Sequence, residues 1–176
     1  MQESKLLTGS ITKSLLIFAL PMIAGNLLQQ CYNIADTIIV GRFLGADALA
    51  AVGSAYTLMT FLTSIILGLC MGSGASFSIS YGQQDFDRMK SGIFQSFVFI
   101  GAVTVVLNVA VFAGIRGIIW FLRVPGSITG LMEDYLLVIF AGIVGTFLYN
   151  YFACLLRSIG NSRVPLIFLA VSAVMN

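Results

Sequence analysis

Charged and uncharged positions fall along this chain in long blocks. From Ser14 to Ala35 run 22 residues without a charge, and after Asp36 the apolar character resumes with Thr37-Ile38-Ile39-Val40. At 1.5 Å per residue such a block crosses about 30 Å of hydrocarbon, which predicts a first membrane helix from about residue 14 to Gly41 or Arg42. A short turn at Arg42–Asp47 follows, with Gly45 as a breaker. The next charge-free block, Ala48 to Gln84, has 37 residues: too many for one minimal span and too few for two with a turn. One long, tilted helix that projects beyond the bilayer fits it.

A third span is expected between Lys90 and Arg116, followed by an interfacial loop to Gly130 that carries Arg116, Trp120, Arg123 and Pro125-Gly126. A fourth runs from about Met132 to Leu156 as one helix. After a loop at Arg157–Arg163 with Gly160-Asn161, a fifth stretch has Pro165 in its first turn, where the missing N–H costs nothing. Only 13 residues of it remain before Asn176, too few to cross, so the chain is expected to continue beyond this sequence.

Composition agrees with the blocks. Apolar residues make up 59% of the chain and charged residues 9%, which cannot clothe a soluble domain. The first apolar stretch is too long for a signal-peptide core and lacks a small-x-small cleavage pattern, so it is read as a retained helix. Lysine and arginine set the orientation: with a cytoplasmic N-terminus, the inner segments hold Lys5, Lys13, Arg88, Lys90, Arg157 and Arg163, against Arg42, Arg116 and Arg123 outside. Residues 1–13 are then a cytoplasmic tail and residues 14–176 a transmembrane domain in the inner (plasma) membrane.

Some chemistry is set aside at once. A net charge of +2 without a basic run gives no nucleic-acid surface, and the absence of histidine removes most catalytic and metal-site templates. No catalytic residue, metal or cofactor is expected. Cys31, Cys70 and Cys154 share no CxxC spacing and read as small residues within the spans. Gly68-x-x-x-Gly72 with Gly74, and Gly142 with Gly145, are places where another helix could approach closely.

Asp36 is the acidic residue that lies within an apolar span, about six residues, or roughly 9 Å, from the outer end at Arg42. A carboxylate at the bilayer centre costs about 3 kcal/mol on insertion scales, less toward the interface. It also sits near a helix C-terminus, where the macrodipole disfavours negative charge. At 100° per residue Asn26, Gln29, Gln30, Asn33, Asp36 and Thr37 share a face, with Tyr32 at its edge one turn before Asp36. Such a stripe faces either a water-filled, ion-handling cavity or an interhelical hydrogen-bond seam. Pro21 removes one backbone hydrogen bond below the stripe, giving a hinge or a static kink. Asn108 and Asn150, single amides in apolar surroundings, are expected to bond between helices.

Several spaced motifs carry a resemblance. Leu20-Pro21-Met22-Ile23, Gln29-Gln30-Cys31-Tyr32-Asn33-Ile34-Ala35-Asp36-Thr37 and Val40-Gly41-Arg42-Phe43-Leu44-Gly45 resemble the first helix of the multidrug and toxic compound extrusion (MATE) family. Gly72-Ser73-Gly74-Ala75 through Tyr81-Gly82, and Leu156-Arg157-Ser158-Ile159-Gly160-Asn161-Ser162, are similar to that family's pattern as well. The resemblance covers nearly the whole chain from about Thr8. It implies an all-α, polytopic transmembrane bundle of twelve helices in two six-helix lobes, of which this chain is an N-terminal lobe truncated in its fifth helix.

The implied activity is secondary antiport, exporting organic, often cationic compounds against inward H⁺ or Na⁺. The implied partners are a small organic substrate, the lipid bilayer and the remainder of the chain (helices 5 to 12). In proton-coupled members of the family a first-helix aspartate, with a tyrosine one turn earlier, meets an asparagine and an aspartate of the fifth helix. Asp36 and Tyr32 match the first pair and Asn176 the asparagine; the aspartate would fall four residues later. Gln29, Asn33 and Asn26 are then substrate-cavity residues, and Pro21 stands where a bend of the first helix has been proposed. The alternative is a lipid or lipid-linked oligosaccharide flippase of the same superfamily, which lines its cavity with several arginines. No lysine or arginine here is expected within a span.

Overall fold

A computed structural model describes residues 11–121 and 124–175. Six helices follow one another: α1 (Ile11–Phe43), α2 (Gly45–Gly82), α3 (Phe86–Phe121), α4 (Thr129–Ala141), α5 (Ile143–Ser158) and α6 (Arg163–Met175). In hydrocarbon every backbone polar group must be paired within the protein, and a helix does this segment by segment. The helices α1, α2 and α3 have 33, 38 and 36 residues, long and apolar enough to cross a membrane. At about 1.5 Å per residue each exceeds 50 Å or nearly so, and must tilt or project, as expected for the second.

The expected boundaries shift in three places. The helix α1 already includes Ile11, Thr12 and Lys13, which the sequence left in the tail. The helix α3 continues through Arg116 and Trp120 to Phe121, so helix replaces half of the expected interfacial loop. That end is tied to α4 by Arg116 Nε, 3.4 Å from Glu133 Oε1. The single fourth helix is in fact two, α4 and α5, bent by 45° about Gly142. There the amide of Gly142 donates to Ile139 O, one residue short of a regular helical bond, and Thr146 N resumes the ladder on Gly142 O. Glycine is the weakest helix former after proline, so a tertiary demand for a bend finds its lowest cost here.

The core is a seam of residues three, four, seven or eleven apart. Ala51, Ala55, Leu62, Ile66, Cys70 and Phe77 of α2 pack with Ile100, Val111 and Ile115 of α3, Met132, Leu136 and Phe140 of α4, and Phe147, Tyr151 and Cys154 of α5. This spacing puts each set on one helix face. Tyr151 is the hub: 1% exposed, it donates to Ile93 O at 2.6 Å and lies 2.8 Å from Ser96 Oγ, with the rings of Phe77, Phe97, Phe147 and Phe152 around it. Asn108 donates across to Phe140 O, next to the break in the fourth span. Asn150, by contrast, bonds within its own helix, to Thr146 O at 2.8 Å.

Of the expected close-approach glycines, Gly74 makes one: a Cβ there would lie 3.5 Å from Cys154 Cβ and O. Gly68, Gly72 and Gly145 have nothing within 4 Å, whereas Gly92 and Gly101, which no motif marked, face Phe77 and Phe147. Cys31 is exposed and Cys70 and Cys154 are buried; all three are free thiols. The turn into α6 is built from Gly160, at φ +85°, with Asn161 N bonding back to Leu156 O and Asn161 Oδ1 accepting from Val164 N. A left-handed glycine thus ends one helix and an amide side chain opens the next.

Candidate substrate cavity and ion-coupling site

The helix α1 stands apart from the core and leans on α6 and α2. Its buried residue among those described is Gly25, where a Cβ would sit 3.6 Å from the methyls of Leu166 and Leu169 on α6. Between α1, α5 and α6 lies an open cavity of about 490 Å³. The size is that of a small organic ligand. From α1 it is lined by Pro21, Asn26, Gln29 and Tyr32, from α5 by Thr146, Tyr149, Asn150 and Arg157, and from α6 by Phe168 and Ser172.

The polar stripe of α1 divides between two surfaces. Asn26, Gln29 and Tyr32 line the cavity, while Gln30, Asn33 and Thr37 line a second depression of about 320 Å³ against Leu49, Val52, Gly53 and Tyr56 of α2. Asn33 is thus separated from Asn26 and Gln29, with which the sequence grouped it. Its Nδ2 donates to Gln30 Oε1 at 3.2 Å, and Thr37 Oγ1 donates to its carbonyl at 2.8 Å. The stripe subtends a wide arc of the helix, so a ridge between two neighbours parts it.

One helical turn beyond Tyr32, which lines the cavity, the half-buried Asp36 carboxylate lies close enough for the tyrosine hydroxyl to feel its charge. Tyr135 of α4 lies close enough for its hydroxyl to feel the charge of Asp36. Sequence gave no hint of this third member: it follows Glu133-Asp134 in what reads as the interfacial entry of a span. Pro21 lies on the cavity wall, and α1 runs through it without interruption. Asn176 lies outside the described residues.

Arg157 also escaped the sequence reading. Assigned to a loop, it occupies the last turn of α5 and lines the cavity. Its Nε is buried without a hydrogen-bond partner among the described residues. It is the charged side chain of this lining, which includes neither aspartate nor glutamate among the described residues. The neighbouring pair Tyr149-Asn150 was visible as a polar step in an apolar run, but which way it faced was not.

Fold and site together define a polytopic α-helical membrane protein with a ligand-sized polar cavity beside an intramembrane carboxylate. The family model described as MatE matches residues 21–176, and the chain belongs to that family. It is 33% identical over 168 residues to "Probable multidrug resistance protein YpnP" of Bacillus subtilis (strain 168), covering 96% of this chain and 38% of that protein. It is 29% identical over 171 residues to "Multidrug export protein MepA" of Staphylococcus saprophyticus, with 96% and 37% covered. Among solved structures, "Crystal structure of MATE in the bent conformation" superposes with a TM-score of 0.88 at 22% identity, over 99% of this chain and 39% of that one. The chain therefore spans somewhat over a third of the length of these relatives.

Proposed function

We propose that this chain is the N-terminal part of a secondary active antiporter that exports organic, often cationic compounds in exchange for H⁺ or Na⁺. The carrying observation is the Asp36–Tyr32 pair, one helical turn apart, in which Tyr32 lines the cavity and its hydroxyl lies within reach of the carboxylate's charge. Relatives named as multidrug resistance and export proteins support the same reading. The protein resides in the plasma membrane with its N-terminus cytoplasmic, following the basic-residue bias, and works together with the remaining helices of the whole transporter.

With the site open outward, Asp36 binds the coupling ion and its charge is neutralised. Its hold on a cationic substrate, or on the waters around one, then weakens. The helix α1 repacks about Pro21, where one backbone bond is missing, and the cavity contracts as the substrate leaves. One carboxylate cannot serve ion and substrate fully at once, so each lowers the other's affinity, which is the linkage an exchanger needs. Asn176 would complete the ion site from the fifth span, and Asn26 and Gln29 would contact the substrate. Asn33, on the α2 side, lies apart from these two.

The test is efflux from proteoliposomes carrying the complete transporter, under an imposed pH or Na⁺ gradient. Asp36→Asn should abolish gradient-driven export. Unchanged export by that variant would refute the assignment of the coupling site.

A flippase of the same superfamily is the second reading, and Arg157 on the cavity wall is the observation that favours it. A single arginine falls short of the set that would hold a pyrophosphate, so export stands first.

A further inference from the structure

The cavity is lined by chemically different groups. Tyr32 on α1, one turn before Asp36, and Ser172 and Ala173 on α6 supply part of its wall. Arg157, from the last turn of α5, lines the cavity as well, as do Ser162 and Pro165 where the chain turns into α6. Along α1 the wall runs from Pro21 to Tyr32, eleven helical steps or about 16 Å. An arginine does not lose its proton in a protein, and in the partly buried Arg157 side chain the buried Nε–H is a charged donor that needs an acceptor. Among the described residues Arg157 makes no ion pair, its Nε has no hydrogen bond, and no carboxylate lines the cavity. What adjoins it is open volume, walled by the amides of Asn26, Gln29 and Asn150 and the rings of Tyr149 and Phe168.

We propose that Arg157 makes this cavity a docking point for an anionic group, a carboxylate or phosphate, carried by an organic substrate. The planar guanidinium fork matches both groups in bidentate geometry, and a low-dielectric wall strengthens the bond. The cavity thereby selects amphipathic molecules that present an anion to Arg157 and an aromatic or cationic body toward Tyr32 and Asp36. The proposal rests on the export reading for calling the ligand a substrate, but its measurement is of binding at equilibrium.

The probes are a rhodamine free acid and its methyl ester, identical except that the acid carries a carboxylate. Binding to the complete transporter in phosphatidylcholine nanodiscs is followed by fluorescence anisotropy. Wild type should bind the free acid, and Arg157→Gln should weaken that binding roughly tenfold or more while changing the ester less than about twofold, as loss of a charge-assisted bond predicts. Arg157→Lys should fall between. Equal weakening of both probes would mark Arg157 as a structural residue and overturn the proposal. So would a wild type that fails to bind the free acid, or a variant that binds it unchanged. Loss of the acid's advantage when phosphatidylglycerol is added would assign the guanidinium to lipid headgroups and also overturn it. Arg157-dependent binding without gradient-driven movement of either dye would instead sink the export reading and leave this inference standing.

Discussion

Replacing Tyr151 by phenylalanine takes one oxygen out of the middle of the bundle and leaves the ring in place. The hydroxyl donates to Ile93 O at 2.6 Å and lies 2.8 Å from Ser96 Oγ, in a side chain only 1% exposed. Its removal strands neither partner, because Ser96 Oγ also bonds Ile93 O, at 3.2 Å. The loss is that of a net hydrogen bond and not of a desolvated polar group, which sets it near 1 kcal/mol. Interhelical bonds in membranes, which average about 0.6 and reach about 1.7 kcal/mol, bracket the same figure. Tyr151→Ala also deletes the ring that meets Phe97 at 5.3 Å and Phe147 at 5.8 Å, and should cost about 3–5 kcal/mol. Reversible unfolding of the complete transporter in mixed micelles titrated with a denaturing detergent measures both. If the phenylalanine variant lost as much as the alanine one, the hydroxyl would dominate and the packing argument would be wrong. If the alanine variant lost no more than the phenylalanine one, the aromatic cluster would contribute nothing.

Three further outcomes are expected. In the same unfolding assay Gly74→Ala should be near neutral and Gly74→Val should cost about 1–3 kcal/mol, since a Cβ meets Cys154 at 3.5 Å and further methyls must displace α5; Gly72→Val, with nothing within 4 Å, is the control and should cost less. Gly160→Ala should cost about 1–2 kcal/mol, because φ is +85° there, whereas Gly126→Ala, in open space, should be milder. Pro21→Ala restores a backbone bond in α1; it should slow gradient-driven efflux severalfold while leaving unfolding stability equal or higher, and full-speed efflux would mean that Pro21 is no hinge.

Much of the candidate site could be read along the chain because its partners lie one helical turn apart. Tyr32 and Asp36 meet through a local i, i+4 relation that any helix imposes. Tyr135 joins them from 99 positions away in sequence, through packing that no local rule expresses. Asn33 went astray for the complementary reason. Periodicity gives a residue's angle around its own axis but not the positions of the neighbouring helices, and the ridge between α2 and α6 turned one stripe into two surfaces. Arg157 was misjudged by boundary placement: two more residues of α5 carried it from a loop into the helix, and its side chain onto a cavity wall.

By itself the sequence determined that this is a membrane protein, how many apolar segments it has and where the intramembrane carboxylate sits. Those depend on free energies that each residue pays to water or hydrocarbon one at a time. Tertiary structure alone decided that the fourth span breaks at Gly142, that Gly74 and not Gly72 admits a neighbour, and that Arg157 faces a cavity with no carboxylate among its described walls. Helix against helix, the hydrocarbon exerts no comparable bias. Which faces meet is settled by close packing and a few hydrogen bonds, and these exist only once the bundle has formed.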